Sequence, residues 1–324
     1  MVLVNLVAEL GAAKHGSRVG VEKLKSRLIE CYPQITEHMA LIRQRQCVLE
    51  RFFRYAKNFE DYYFFCKDSL IPTMHAIFKR GSFPLILSAE HSGAFGIAQA
   101  LRSVHPDKKI GILYLDAHAD IHTAYDSDSG NLHGMPLGMV LNRIHSGQNV
   151  LNDQEKHYWE SLCALGLEDG ALDFDPKHLI YFGVRSTEAS EREMIKKYHI
   201  PLFSIEAIRA DMPGVVQQTQ ALLEEVDLVY LSLDVDVLDG KIFSSTGVRE
   251  NNGLQPQELQ ALLDSLLRAF GERLACVEIT EYNPELWNGE EEDEKVVWGL
   301  LTSVVEHALN RDSNLTRRED DRFA

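Results

Sequence analysis

Apolar and polar residues alternate in blocks along this chain, and the blocks have the lengths of buried strands and amphipathic helices. Two nearly continuous apolar runs, at 109–115 and 226–233, stop at polar clusters, which is typical of strands buried on both faces. Similar runs predict four further strands, at 2–7, 83–88, 178–183 and 274–280. Helical periodicity predicts helices at 93–103, 189–198, 212–225 and 255–270. This alternation predicts an α/β fold with a parallel β-sheet and helices on both faces.

Other segments have weaker patterns. The region 37–79 holds the aromatic group 62–65, which is more typical of a helical core or a subunit contact than of a ligand-stacking platform. The acidic run 290–294 predicts a solvated loop or a helix start. Residues 1–310 are interpreted as one domain, and 311–324 as a flexible polar tail.

Composition counts against several partners. The formal net charge of -16 is unfavourable for binding nucleic acid or an anionic membrane surface and weakly favours a cationic ligand. No stretch approaches the roughly 18 apolar residues of a membrane span, and Glu9 lies where a signal peptide would be apolar, so we expect a cytoplasmic protein. The cysteines form no CxxC pair and are predicted to be free thiols, mostly in the core. They are Cys31, Cys47, Cys66, Cys163 and Cys276.

Two of the predicted strands are followed directly by side chains that can bind metal. Asp116, His118 and Asp120 repeat at every second position after one strand, and Asp234 and Asp236 do so after another. A strand-like period of two places such side chains on one side of the backbone. Carboxylates crowded in apolar surroundings must either be neutralised by cations or have raised pKa values.

The number of charges fits two metal ions. Four aspartates balance two divalent ions, while His118 and His91, which follows a third strand, add neutral nitrogen ligands. Histidine together with carboxylate suits Mn, Co, Fe, Ni or Zn better than Ca or Mg. Two such ions about 3.5 Å apart can share a water molecule and lower its pKa toward roughly 7. The sequence therefore predicts a binuclear metal-dependent hydrolase.

These motifs resemble those of the arginases, in the ureohydrolase superfamily that also includes agmatinases and formimidoylglutamases. Matches extend from Lys14–Gly20 to Glu281–Pro284, and the chain is more similar to a divergent bacterial branch than to the mammalian type. The resemblance implies a single three-layer α/β/α domain. It also implies hydrolysis of L-arginine to L-ornithine and urea by a hydroxide that bridges two metal ions. Mn²⁺ is the favoured ion and Co²⁺ the alternative, and the implied assembly is a homotrimer or homohexamer.

The resemblance also assigns roles to individual residues. One ion would be held by His91, Asp116, Asp120 and Asp234, and the other by His118, Asp116, Asp234 and Asp236. Asp120 would also hold the hydroxide, His133 would shuttle protons, and Glu281 would orient the guanidinium group. The far end of the substrate would be bound through its α-carboxylate by Ser129, Asn131 and His122, and through its α-amino group by Glu188.

The chain departs from the family pattern at several positions. Ser88–His91 replaces the usual Gly-Gly-Asp-His element, and His122 stands where asparagine is common. The stretch 246–253, which includes Val248, replaces a Gly-Thr-Pro segment, and Asp239-Gly240 replaces an Asp-Pro turn. The segment 151–170 is longer than the usual connection and predicts an added helix near the pocket or at an interface.

Other functions are consistent with parts of this pattern. Agmatine or formiminoglutamate could be the substrate of the same chemistry, although the residues matched to carboxylate and amine binding favour arginine. A binding protein that kept the fold and lost catalysis is disfavoured because all six metal-ligand candidates are present with His133 and Glu281. A nucleotide-binding protein is disfavoured because no GxGxxG follows a strand and no GxxxxGK[ST] occurs.

Overall fold

The fold is built on one parallel sheet of eight strands. The computed structural model describes residues 1–44, 53–142, 147, 149–167, 172–286 and 291–320. The strand order is β2-β1-β3-β8-β7-β4-β5-β6, and every pair is parallel. The strands are β1 (Val2–Leu6), β2 (Met39–Ile42), β3 (Pro84–Ser88), β4 (Ile110–Leu115), β5 (Leu179–Phe182), β6 (Leu202–Phe203), β7 (Leu228–Asp234) and β8 (Leu274–Thr280).

All six strands predicted from the apolar runs are confirmed. The pattern missed β2 and β6, which are the two edge strands. The β2 strand exposes Met39 and Leu41, and β6 has two residues, so neither presents a continuous apolar run. Edge strands face solvent on one side and therefore carry a weaker hydrophobic signal than central ones.

Eleven helices are described along the chain. The four predicted helices correspond to α4, α7, α9 and α10, and Pro256 occupies the first turn of α10, where a missing backbone N–H costs nothing. The helices are α1 (Ser17–Cys31), α2 (Phe59–Phe65), α3 (Ile71–Lys79), α4 (Gly93–Val104), α5 (Pro136–Leu141), α6 (Asp153–Cys163), α7 (Ala189–Lys197), α8 (Ile205–Ala210), α9 (Met212–Leu222), α10 (Pro256–Phe270) and α11 (Glu291–Asp320).

Helices cover both faces of the sheet, which confirms the three-layer architecture. In β4, Ile112 and Tyr114 join the buried cluster that includes α2 to α6. Leu113 and Leu115 point the other way, into the cluster formed with α1 and α8 to α11. Because side chains alternate along a strand, a central strand needs apolar residues at every position to bury both faces.

The two unusual segments of the sequence are largely helical. The expected helical core at 37–79 is confirmed for α2 and α3, where Tyr62 and Phe65 are buried, but the segment begins with β2 and residues 45–52 lie outside the described chain. The predicted added helix is α6, whose Trp159 is buried against Phe59 and Tyr125. This helix therefore belongs to the core on one face of the sheet.

The C-terminal helix begins in the acidic run. Glu291 and Glu292 are exposed, as predicted, but Asp293 is buried and accepts hydrogen bonds from Ser244 and Ser245. The expected boundary at residue 310 falls inside α11, and the flexible tail from residue 311 stays a prediction.

The described cysteines are all free thiols, as predicted. Cys66, Cys163 and Cys276 are buried and Cys31 is exposed, while Cys47 lies outside the described residues. The helices in the described ranges include none with the length and apolar character of a membrane span.

Candidate active site

The sheet order brings the predicted site residues together. The strands β3, β8, β7 and β4 are consecutive neighbours and all run in the same direction. Their carboxyl ends therefore lie side by side; Asp234 is the last residue of β7, and His91, Glu281 and Asp116 follow the other three strands. In parallel sheets this edge is where loops meet and ligands bind.

Three aspartates share one arrangement of their carboxylate oxygens. In Asp116, Asp234 and Asp236, Oδ1 accepts a backbone N–H at 2.6 to 3.0 Å, from His118, Asp236 and Ala117 respectively. The Oδ2 atoms are then left to face histidines: His118 Nδ1 lies 2.9 Å from Asp236 Oδ2, and His91 Nδ1 lies 2.9 Å from Asp116 Oδ2. The backbone thus orients each carboxylate and leaves one oxygen available to the centre.

His91 contacts three carboxylates through a single nitrogen. Its Nδ1 lies 3.2 Å from Asp120 Oδ2 and 3.3 Å from Asp234 Oδ2, in addition to the contact with Asp116. Its ring stacks on Tyr114 at 4.4 Å between centroids, and the Tyr114 hydroxyl donates to Asp120 at 2.8 Å. His91 is therefore held rigidly with one nitrogen aimed at the acidic cluster.

A buried chain of hydrogen bonds determines which nitrogen of His91 carries the proton. The fully buried Glu278 accepts hydrogen bonds from the hydroxyls of Ser88, Tyr230 and Ser232. Because the hydroxyl of Ser232 donates its only hydrogen to Glu278, its oxygen can only accept, and it accepts from His91 Nε2–H at 2.7 Å. A neutral His91 would therefore carry its lone pair on Nδ1, as a metal ligand requires.

The cluster has the properties of a cation site. Among the described residues, neither His91 Nδ1 nor Asp116 Oδ2 has a hydrogen-bond partner, although both are buried. Burial, followed by the charges of Asp236 and Asp120, raises the pKa of Asp116 to about 7. Without a metal ion, a proton on His91 would neutralise part of this negative charge. Burial lowers the pKa of His91, but the facing carboxylates outweigh burial and raise it. Two overlapping ligand sets can be drawn, His91-Asp116-Asp120 and Asp116-His118-Asp236.

The predicted proton shuttle and guanidinium ligand form a pair. His133 Nδ1 lies 3.3 Å from Glu281 Oε1, and burial is outweighed by the Glu281 contact, so the pKa of His133 rises to about 9. Glu281 also accepts from the backbone N–H of His91 at 3.2 Å. Glu281 and Asp120 both adopt left-handed backbone conformations, with φ of 65° and 49°. Such conformations in residues other than glycine concentrate at functional sites.

A cavity of about 360 Å³ opens above the cluster. Seven of the described residues that line it carry a carboxyl group, and none of them is an arginine or a lysine. Every predicted site residue except the deeper His91 and Asp116 contributes to its wall. The predicted residues are His118, Asp120, His122, Ser129, Asn131, His133, Glu188, Asp234, Asp236 and Glu281. A second cavity, about 250 Å³, lies at the opposite edge of the sheet and contains none of them.

His122 lies among three acids at the rim. Its Nδ1 is 3.1 Å from Asp126 Oδ2, and its Nε2 is 3.6 Å from Glu191 and 3.8 Å from Glu188. Burial lowers and the Asp126 hydrogen bond raises its pKa, and with the two glutamates the result is about 9. His122 thus places a charged N–H beside Glu188, the residue expected to face the substrate amine.

Sequence reasoning missed several residues of the site. Glu191 and Glu250 line the cavity, and Glu250 Oε1 lies 3.7 Å from His118 Nε2. Ser232 and Glu278 support His91 from below. Glu191 had a detectable signal, since Glu188 and Glu191 form a capping box at the start of α7. Glu250 and Glu278 had none, because a loop acid and a buried strand acid look ordinary in sequence.

The altered loops still enclose the site. Val248 lines the cavity, and Arg185 ties this loop down by donating to the carbonyls of Asp236, Leu238 and Glu250 at 2.9 to 3.1 Å. Ser88, in the altered strand end, donates to Glu278. The departures from the family pattern therefore contribute contacts around the site.

Comparison with known proteins agrees with this geometry. The profile of the family described as "Arginase family" matches residues 7–305. The chain belongs to the arginase family. It is 30% identical to the arginase of Bacillus caldovelox over 221 residues, which cover 68% of this chain and 67% of that one. The crystal structure of Helicobacter pylori arginase is 52% identical, covers 95% of this chain and 99% of that one, and superposes with a TM-score of 0.83.

Membership in the arginase family confirms the predicted enzyme class, a hydrolase of a guanidino C–N bond. The arginase family is one of binuclear metal enzymes, and the His/Asp cluster has the composition to hold metal. The formimidoylglutamase of Bacillus subtilis is 17% identical with a TM-score of 0.67, so it shares the fold alone. The predicted resemblance to bacterial arginases is confirmed by the Helicobacter and Bacillus matches.

Proposed function

We propose that this chain hydrolyses L-arginine to L-ornithine and urea. The observation that carries the proposal is the convergence of two His/Asp sets on Asp116 at the floor of a cavity lined by acids. An acidic cavity without arginine or lysine among its described lining residues suits a guanidinium cation. Similarity to arginases over nearly the whole chain supports the same substrate.

Two divalent ions are part of the proposal, with manganese favoured and cobalt the alternative. His91, Asp116, Asp120 and Asp234 would hold one, and His118, Asp116, Asp234 and Asp236 the other. When bound, such a pair of ions supplies acidified water and stabilises developing negative charge. A mixed histidine and carboxylate ligand set suits manganese better than magnesium or calcium.

His133 and Glu281 would bind and protonate the reacting end of the substrate. Glu281 offers a carboxylate at the cavity wall to the guanidinium group, and guanidinium groups favour carboxylate partners. A pKa of about 9 keeps His133 protonated at neutral pH, so it has a proton to donate to the leaving amine. Asp120, held by Tyr114, would orient the attacking water by accepting its proton in a hydrogen bond.

The other end of the cavity would bind the amino-acid group. Ser129, Asn131 and His122 would donate to the α-carboxylate, and Glu188 with the adjacent Glu191 would attract the α-amino group. A homo-oligomer of three or six chains, located in the cytoplasm, completes the proposal and rests on the family resemblance. The net charge of -16 disfavours nucleic acid and anionic membranes as partners, so we propose a small molecule as the ligand.

Substrate assays test this function directly. The protein reconstituted with Mn²⁺ or Co²⁺ should release urea from L-arginine with a higher kcat/KM than from agmatine, and should release no formamide from formiminoglutamate. A clear preference for agmatine or formiminoglutamate would refute arginine as the substrate. Fewer than about one metal ion per chain after reconstitution, together with no turnover, would favour a non-catalytic binding protein.

A further inference from the structure

A lysine outside the cavity wall contacts the loop that would bind the substrate carboxylate. Lys57 lies two residues before α2, far in sequence from Ser129 and Asn131. Its Nζ lies 2.9 Å from Asn131 Oδ1, and its backbone N–H donates to the carbonyl of Gly130 at 2.7 Å. Both ends of one residue thus contact the same turn.

The backbone fixes this contact. Gly130 has φ of +68°, and a Cβ added there would lie 2.6 Å from the carbonyl oxygen of Arg54, so the two segments approach too closely for a side chain. Gly130 N–H donates to Ser127 Oγ at 3.0 Å, and Asn58 Nδ2 donates to the carbonyl of Leu10 at 2.9 Å. Asn58 therefore anchors the chain just after Lys57, and Arg54 lies against Gly130 just before it.

The chemistry of lysine determines the orientation of the Asn131 amide. An ammonium group has three donors and no acceptor, so the amide atom that faces it must be the oxygen. The Nδ2 of Asn131, with two N–H donors, is then the end left for another partner. An amide that presents donors suits a carboxylate, while the flipped amide would present an oxygen and repel it.

The acidic lining of the cavity would repel a substrate carboxylate, so the positive charge of Lys57 beside Asn131 favours its binding. A substrate carboxylate would enter a cavity lined by acidic side chains, among them Glu188 and Glu191 near its far end. Lys57, which is not among the residues that line this cavity, places a positive charge against Asn131 and polarises the amide through a charge-assisted hydrogen bond.

We propose that Lys57 is a specificity-determining residue, which orients and polarises Asn131 so that the site selects substrates with an α-carboxylate over their decarboxylated analogues. The inference rests on the proposed function, since it names how that site recognises an amino acid. Lys57 acts through Asn131 and is a positioning residue. It therefore affects binding of the carboxylate and leaves the reacting bond untouched.

Three variants test this assignment. Lys57→Met removes the charge and the donors, and Lys57→Arg keeps both. Lys177→Met removes an equal charge from an exposed lysine just before the amino end of β5, at the opposite edge of the sheet. In Lys57→Met, KM for L-arginine should rise about tenfold while kcat stays within about twofold, because a contact made equally in the ground and transition states changes KM alone. kcat/KM for agmatine should be unchanged, Lys57→Arg should recover most of the loss, and Lys177→Met should match the parent protein.

Binding measurements separate this inference from the function itself. The Kd of L-ornithine, which keeps the carboxylate, should weaken about tenfold in Lys57→Met, whereas the Kd of 1,4-diaminobutane should not change. Equal losses for both ligands, or no loss for either, would overturn the role of Lys57. Absence of urea release from arginine by the parent protein would instead refute the proposed function, while the ratio of the two Kd values would still decide on Lys57.

Discussion

Two groups of buried carboxylates lie on the same edge of this sheet and are stabilised in opposite ways. Glu278 is fully buried and accepts three hydroxyl hydrogen bonds from its neighbours. Asp116 is equally buried, yet its Oδ2 has no hydrogen-bond partner among the described residues and lies 2.9 Å from Nδ1 of His91. The protein satisfies the first carboxylate with its own donors, whereas we expect an external cation to complete the second.

This difference distinguishes a binding site from a supporting network. Buried polar groups are almost always hydrogen-bonded, so an unsatisfied one indicates a missing partner. A charge on Asp234 is also disfavoured, since burial and the charges of Asp236 and Asp116 raise its pKa well above the usual value. The comparison predicts that loss of charge will affect stability with opposite sign in the two groups.

The largest effect is expected at Asp116. Asp116→Asn should lower metal uptake and reduce urea release to background, because this carboxylate belongs to both ligand sets. In protein stripped of metal by a chelator, the same variant should raise the free energy of unfolding at pH 8, since one of several crowded buried charges is gone. Metal analysis, urea assays and denaturant unfolding measure the three quantities.

The control for Asp116 is Asp107→Asn, an exposed acid just before the other end of β4. It should change neither metal content nor turnover. Full ion stoichiometry with undiminished turnover in Asp116→Asn would show that the cluster is not a metal site.

A smaller effect of the opposite sign is expected at Glu278. Glu278→Gln replaces an acceptor of three hydroxyls with an amide that also donates, so it should lower the free energy of unfolding by about 1–3 kcal/mol. Ser232 would lose its fixed orientation, and metal affinity should fall about 10- to 100-fold, as measured by calorimetry.

Tyr230→Phe serves as the control for Glu278. It removes one donor to the carboxylate and leaves the link from Ser232 to His91. Some loss of stability with unchanged metal affinity is expected. Equal losses of affinity in the two variants would mean that Glu278 acts through general packing rather than through His91.

The smallest effect is expected at Asp126, another carboxylate that the protein satisfies internally. Burial raises its pKa, but hydrogen bonds from His122 and Thr123 outweigh burial and lower it to about 2. A depressed pKa stabilises the fold above the unfolded value of about 3.9, and the benefit disappears as the pH falls toward 2. Asp126→Asn should therefore destabilise metal-free protein by about 1–2 kcal/mol at pH 6, and by less at pH 3.

Urea-induced unfolding at the two pH values measures this difference. The exposed neighbour Asp128 provides the matched substitution, Asp128→Asn, which should have little effect at either pH. A gap between Asp126→Asn and the parent protein that stays constant from pH 6 to pH 3 would contradict the proposed charge interaction.

The sequence was informative where burial and chemistry coincide. Asp116 and Asp234 directly follow long apolar runs, so the pattern that predicts the strands also places these acids at one edge of the sheet. The six central strands were predicted for the same reason, while edge strands β2 and β6 are too short or too exposed to give a signal.

The rest of the site depends on contacts between distant segments. Glu278 and Ser232 interact because β7 and β8 are paired in one register, which no local pattern reveals. Lys57 reaches Asn131 through a close approach of two loops at Gly130, and Glu250 reaches the cavity through a loop tied down by Arg185. Tertiary geometry of this kind leaves no periodic trace in the amino-acid order.

Asp120 and Glu281 have left-handed backbone conformations, which lower the stability of the fold at two positions that supply acids to the cavity. Glycine adopts this conformation without steric cost, whereas a side chain with a Cβ adds roughly 1–2 kcal/mol of strain. Glycine at either position should therefore relieve backbone strain and at the same time remove a carboxylate that lines the cavity, so these two positions link the local stability of the chain to the composition of the site.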